Sequence, residues 1–291
     1  MTGRPAPVVA RTRQELHAVL AARGAGSRVG LVPTMGALHD GHASLMVEAR
    51  RHLADGDPLV TSVFVNPLQF AAGEDLDRYP RTIDADLAVC AEQGVDVVFA
   101  PTVEEVYPGG DPVVTVSPGP LAEVLEGRVR PTHFRGVLTV VAKLFGLVRP
   151  DVAVFGQKDY QQLVLIRRMA ADLCMGVEVV GAPTVREPGG LALSSRNAYL
   201  DPAQRQAALV LSQSLRAAVA AAGDGPVAAR EAACAVLRAA QGVDLDYVVV
   251  TDPDLGPAPE QGEGRALIAA RVGTTRLIDN LPLHLGDPGR A

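Results

Sequence analysis

The chain has 291 residues, 48% of them hydrophobic and 21% charged, with a formal net charge of -6. That is a globular composition with ample apolar material for a core, and its acidic balance argues against a nucleic-acid or anionic-membrane partner while leaving room for a local anion pocket. No apolar stretch is long enough to span a bilayer, and the start (MTGRPAPVVARTR) lacks the apolar core of a secretory signal, so a cytoplasmic protein is expected.

Two periods alternate through the first part of the chain. Residues 29–32 (VGLV) read as a short strand, and after Asp40 the apolar positions Met46, Ala49 and Leu53 recur at helical spacing. Residues 60–65 (VTSVFV) read as a buried strand. Thr82 stands where a helix would begin, with Ile83, Leu87 and Cys90 on one face and Gly94 as its stop; residues 95–101 (VDVVFAP) form the next strand. This β-α-β-α-β order predicts an α/β domain with a parallel sheet and helices on both faces. A polar stretch rich in Pro and Gly follows over 102–132, with one strand expected at 113–116. A helix over 134–148, a strand over 152–155, a helix over 159–173 and a strand over 177–185 complete a first domain, 1–186. From 187 to 291 the texture changes: Asp201-Pro202 opens an Ala-rich helix, a second helix covers roughly 227–239, and 245–250, 266–272 and 274–280 are strand-like. A smaller α+β C-terminal domain is expected there. Three scattered cysteines, Cys90, Cys174 and Cys234, lack metal-ligand spacing and read as small buried apolar residues in a reducing compartment.

Chemistry concentrates at strand ends. In PTMGALHDGH (residues 33–42), His42 shares the helical stripe of Met46, Ala49 and Leu53 and lies in the first turn, where unpaired backbone N–H groups and the positive dipole end attract phosphate. Gly36 and Gly41 permit close approach, and His39, one turn back, can address the same ligand. FVNPLQF places Asn66 and Gln69 after the second strand, where neutral amides can bind a small polar substrate; turn chemistry at Asn-Pro is the other reading. FGQKDYQQL puts Lys158 in a first helical turn, unfavourable for the helix dipole and therefore suited to a triphosphate, with Gln162 one turn on. Ser194, Ser195 and Arg196 make a phosphate clamp or, more plainly, a loop or helix cap. Asp84 and Asp86 can hold Mg²⁺, or simply answer a helix dipole. Arg128, Arg130, His133 and Arg135 form a basic segment able to cover an anionic substrate, or an exposed loop.

In order and spacing, LVPTMGALHDGH, FVNPLQF, YPRT, LEG with RPTHFRGV, FGQKDYQQL, GLALSSRN and TTRLIDN resemble the pantoate–β-alanine ligase family over nearly the whole chain. The His-x-Gly-His element alone is shared with a wider nucleotidyltransferase superfamily. The resemblance implies a Rossmann-like N-terminal domain, a C-terminal domain that covers the site, and a homodimer. It implies condensation of pantoate with β-alanine through a pantoyl adenylate, with ATP and Mg²⁺ required and AMP and pyrophosphate released. Carried over by position, Met35, Gly36, Ala37, Leu38, His39, Asp40, Gly41 and His42 form the first ATP segment, with His42 as proton donor. Gly156, Gln157, Lys158 and Asp159 form the second, Val185 adjoins the nucleotide, and Leu193, Ser194, Ser195 and Arg196 form the third. Catalytic roles fall on His42, His39, Lys158 and Arg196; pantoate contacts fall on Gln69 and Gln162, with Asn66 beside them and Arg130 on a mobile loop. Gln157 stands where Glu is usual, and Ala85 interrupts an acidic run, which weakens a metal site at Asp86. A cytidylyltransferase acting on a phosphorylated alcohol, or a silent nucleotide-binding regulator, would use many of the same groups.

Overall fold

The computed structural model describes residues 6–24, 26–70, 76 and 79–286. Their contacts divide the chain into two units: one runs to Gly156 and resumes at Gln161–Ala182, the other combines Gln157–Tyr160 with the chain from Pro183 onward. The second unit thus begins at Pro183, a few residues before 187, and also takes in the four residues after Gly156.

The first unit contains β1 (Val8–Ala10), α1 (Arg13–Ala21), β2 (Gly30–Thr34), α2 (Asp40–Arg51), β3 (Leu59–Val63), α3 (Ile83–Glu92), β4 (Val97–Phe99), α4 (Val103–Val106), α5 (Leu125–Val129), α6 (His133–Val148) and β5 (Val152–Gly156), then most of α7 (Tyr160–Asp172) and β6 (Glu178–Ala182). The strands form a six-stranded sheet in the order β1-β4-β3-β2-β5-β6, parallel at every pairing. Parallel strands are covered on both faces and read as continuous apolar runs, as β2, β3 and β5 do. Val32, Met46, Ala49, Leu59, Val98, Val152 and Val154 join in one core, so the 46/49 stripe of α2 lies against the sheet as its spacing predicts. From β2 the chain moves to β3 and β4 on one side, then crosses to β5 and β6 on the other. The order therefore reverses between β2 and β5, and the crevice beyond their carboxyl ends is where such sheets bind ligands.

No strand forms at 113–116. Val113 and Val114 are exposed, and Val116 gives its N–H to the Thr139 hydroxyl rather than to a neighbouring strand; β-propensity without an edge to pair with does not make a strand. Two cysteine assignments also change: Cys90 is buried, but Cys174 is exposed and Cys234 only partly covered.

In the second unit α8 (Pro202–Ala220) and α9 (Pro226–Arg238) pack with an antiparallel sheet, β7 (Val243–Thr251), β8 (Gly262–Val272) and β9 (Thr275–Leu285), in the order β7-β8-β9. Asp201 caps α8, accepting from the Gln204 N–H while the Gln204 side chain returns to the Asp201 N–H, with Pro202 opening the first turn. The apolar face of α8, including Leu211 and Leu215, joins Ile268, Val272 and Leu285 in one core. Each fully buried Leu contributes ~1.5–3 kcal/mol.

Candidate active site

The loop after β2 turns at Gly36 and Ala37, both left-handed, with φ of 84° and 52°. Asp86, from the first turn of α3, holds this turn. One carboxylate oxygen accepts from the Ala37 N–H at 3.2 Å, the other from the Leu38 N–H at 2.8 Å and the Thr82 hydroxyl at 3.2 Å. A Cβ on Gly36 would meet Asp86 Oδ2 at 3.0 Å and Val63 Cγ1 at 3.1 Å, so only glycine fits the turn without displacement. Beside it opens a cavity of about 360 Å³ at the carboxyl edge of the sheet, walled by Met35, Gly36, Phe64, Thr82 and Thr102.

The chain then enters α2 through its two histidines. His39 is the N-cap: its Nδ1 accepts from the Gly41 N–H at 3.1 Å, and His42 Nδ1 accepts in return from the His39 N–H at 3.3 Å. A ring nitrogen that accepts holds a lone pair, so in the neutral rings the proton lies on Nε2 of each. The cap thus fixes two N–H donors at a helix N-terminus.

The amides expected to bind substrate separate into two kinds. Asn66 is wholly buried. Its Nδ2 donates to the Gly136 carbonyl at 3.1 Å, and its Oδ1 accepts from the Tyr107 hydroxyl at 2.9 Å and the Leu68 N–H at 3.3 Å. Burial pushes the Tyr107 hydroxyl up from its ordinary value and keeps it a donor. Asn66 therefore shapes the turn at Pro67–Gln69 rather than facing a ligand, a correction to its expected role. Arg130 is engaged nearby: its Nη2 donates to the Gln69 carbonyl at 3.1 Å and its Nη1 lies 3.2 Å from His133 Nε2, while His133 Nδ1 lies 3.0 Å from that same carbonyl. Both side chains brace the backbone of Gln69. The Gln69 and Gln162 amides make no hydrogen bond to a described residue. Gln161, which sequence reasoning passed over, is the structural member of the Gln pair: it is buried and ties the carbonyls of Leu121 and Val124 and the N–H of Glu126 to α7.

In the second unit, Lys158 lies in a short 3-10 turn, Gln157–Asp159. Its ammonium is 3.8 Å from Asp159, too long for a tight ion pair. Val185 accepts from the Leu193 N–H at 2.9 Å, and Arg186 bridges to Ala192, so residues 185–193 fold back as a narrow loop. Glu187 anchors it: the carboxylate receives Arg205 Nη1 at 2.6 Å and the Asn197 amide at 2.9 Å. The Arg205 hydrogen bond is the main cause that holds Glu187 below the usual carboxylate range. Ser194 caps the turn Ser195–Tyr199 by accepting from the Arg196 N–H, the plainer of its two expected roles.

A magnesium ligand at Asp86 does not fit this geometry, because its two oxygens already receive three donors in a site 2% exposed. No group of three His, Cys, Asp or Glu side chains able to hold a metal occurs among the described residues. A Mg²⁺ carried on substrate phosphates needs few protein ligands. No described helix is long and apolar enough to cross a membrane.

A sequence model of the family described as pantoate-beta-alanine ligase matches residues 8–282. A pantothenate synthetase from a Nocardioides species is 67% identical over 98% of this chain and 88% of its own, and one from Thermobifida fusca is 54% identical over 96% of each. The crystal structure of pantothenate synthetase from Thermus thermophilus superposes with a TM-score of 0.86 at 49% identity, over 94% of this chain and 98% of that one. Pantoate-beta-alanine ligase from Francisella tularensis, solved in complex with beta-gamma ATP and beta-alanine, superposes at 0.78 with 32% identity, over 95% and 97% of the two chains. The chain belongs to the pantoate–β-alanine ligase family.

Proposed function

We propose that the protein joins pantoate to β-alanine at the expense of ATP, through a pantoyl adenylate. The observation that carries this reading is the family match across residues 8–282. The pantoate carboxylate attacks the α-phosphorus of ATP and pyrophosphate leaves; the β-alanine amine then attacks the acyl carbon and AMP leaves. Carboxylate and triphosphate repel each other, so catalysis depends on cations and N–H donors placed where charge accumulates in the transition state. His39 and His42 serve there through Nε2, with His42 as proton donor, and Lys158 and Arg196 neutralise phosphate charge. Met35–His42, Gly156–Asp159, Val185 and Leu193–Arg196 form the nucleotide segments. Gln69 and Gln162 hold pantoate in line; their amides, without partners among the described residues, support that role. Asn66, Arg130 and Asp86 act one step back, through the backbone they brace. Mg²⁺ enters as part of the MgATP substrate. The cellular setting is cytoplasmic and the working form a homodimer.

Isotope exchange between pyrophosphate and ATP, with pantoate present, tests the first step. His42→Ala and Lys158→Ala should each reduce it by orders of magnitude without unfolding the protein; near-normal exchange in either removes that residue from the mechanism. Addition of β-alanine tests the second step. Release of AMP excludes a cytidylyltransferase, whose product retains the nucleotide, and turnover itself excludes a silent binder.

A further inference from the structure

The stretch TTRLIDN belongs to β9, and two consecutive residues in it, Asp279 and Asn280, are buried at 4% and 2% exposure. Neighbours along a strand project to opposite faces, and these two reach different segments of the second unit. Asp279 receives both Nη atoms of Arg186, at 2.6 and 2.8 Å, in a two-pronged pair. Arg186 also donates to the Gly190 carbonyl at 3.0 Å, so Asp279 holds the loop that runs from Val185 toward Ser194–Arg196. Asn280 turns the other way: its Nδ2 donates to the Gln157 carbonyl at 2.8 Å and the Lys158 carbonyl at 3.0 Å. Its Oδ1 accepts from Arg265 Nε at 2.9 Å. Arg265 in turn reaches Gln157 Oε1 at 3.0 Å and stacks on the Tyr160 ring at 3.9 Å. The turn bearing Lys158 is therefore gripped at two successive carbonyls and at the side chains of Gln157 and Tyr160.

A sheet that needed only stability would be served as well by apolar side chains here, since a buried polar network is high-stakes unless every member is matched. We propose that Asp279 and Asn280 are a positioning pair for the phosphate-binding groups. Asn280 fixes the turn that presents Lys158, and Asp279 fixes the loop that leads to Arg196, so one strand sets the spacing of both cations. The inference rests on the reading that Lys158 and Arg196 contact ATP.

The test is pyrophosphate–ATP exchange in Asn280→Asp, Lys158→Ala and the double variant, with thermal unfolding measured alongside. Asn280→Asp keeps the shape but removes both N–H donors and sets a carboxylate oxygen against two carbonyls. A displaced lysine should lower kcat for exchange by roughly 10–100-fold, with KM for pantoate unchanged within about twofold. Because Asn280 acts through Lys158, the double variant should be no slower than Lys158→Ala alone. Exchange near the wild-type rate in Asn280→Asp, or losses that multiply in the double variant, overturns the proposal. So does a lowered unfolding midpoint with the kcat of the folded enzyme preserved, which is what a purely structural role gives. If Lys158→Ala itself exchanges normally, the phosphate reading has failed and the positioning role falls with it, a result distinguishable because the single lysine variant reports it. Should Asn280→Asp not fold, Asn280→Ser, which keeps one donor, is read against the same outcomes.

Discussion

His39 and His42 cap one helix reciprocally, each Nδ1 accepting a backbone N–H from the other's neighbourhood, with their ring centroids 4.2 Å apart. The pair caps the helix, the proposed mechanism gives it a chemical role as well, and the two roles separate by mutation. In His39→Asn the amide oxygen still accepts from Gly41, so stability should stay close to wild type, whereas His39→Ala should lose about 1 kcal/mol. Both remove the Nε2 donor, and both should lower pyrophosphate–ATP exchange by roughly 10²–10³-fold. Chemical denaturation beside the exchange assay measures the two effects; an Asn variant with normal exchange would confine His39 to capping.

Asp86 accepts from the Ala37 and Leu38 N–H groups and the Thr82 hydroxyl in a site 2% exposed. In Asp86→Asn one acceptor becomes an N–H facing another donor. The turn at Gly36–Ala37 should shift, raising KM for ATP, while the Mg²⁺ concentration for half-maximal rate at saturating ATP stays unchanged. A large rise in the Mg²⁺ requirement alone would restore Asp86 as a metal ligand.

Gly136 lies inside α6, where Ala would ordinarily gain about 1 kcal/mol in helix propensity. Here a Cβ would fall 2.1 Å from the Leu68 carbonyl oxygen and 2.8 Å from the Gln69 nitrogen. Backbone cannot rotate away as a side chain can, so overpacking outweighs propensity. Gly136→Ala should be destabilised and should raise KM for pantoate more than KM for ATP, by displacing Gln69. A variant as stable as wild type with unaltered pantoate kinetics would contradict that packing.

Burial pushes the Cys90 thiol up to about 12, so almost none is thiolate at neutral pH, and the side chain is inaccessible. Cys174 is exposed. A thiol reagent applied to the native protein at neutral pH should label Cys174 promptly and Cys90 only on unfolding. Peptide mapping reads the order, and early label on Cys90 would place that residue nearer solvent.

Glu187 is held below the usual carboxylate range chiefly by its hydrogen bond from Arg205. A depressed folded-state value means that the unfolded chain binds the proton first as pH falls. The contribution is therefore complete above the unfolded value of about 4.3 and is lost on acidification through the folded value below it. Between about pH 5 and pH 3, the unfolding midpoint of wild type should fall more steeply than that of Glu187→Gln. Parallel curves would show that the pair adds nothing measurable.

The parts of this protein that were legible in its sequence are those governed by near neighbours. The 46/49 stripe and the strand-like runs on either side of it announce β2, α2 and β3, because helical and strand periods are local properties of the chain. Asp201-Pro202 announces α8 for the same reason: its cap is completed within four residues. The turn and helix start within residues 35–42 were legible for the same reason, since their motif stays together. What tertiary structure alone decided is which polar side chains are tied to distant stretches of backbone. Asn66 finds Gly136, 70 residues on; Asp86 finds Leu38, 48 residues back; Asn280 finds Gln157 across 123 residues. An amide or carboxylate has the same donors and acceptors whether its partner is a carbonyl or a substrate. The residue type fixes what kind of bond will form, and the folded chain alone determines with what.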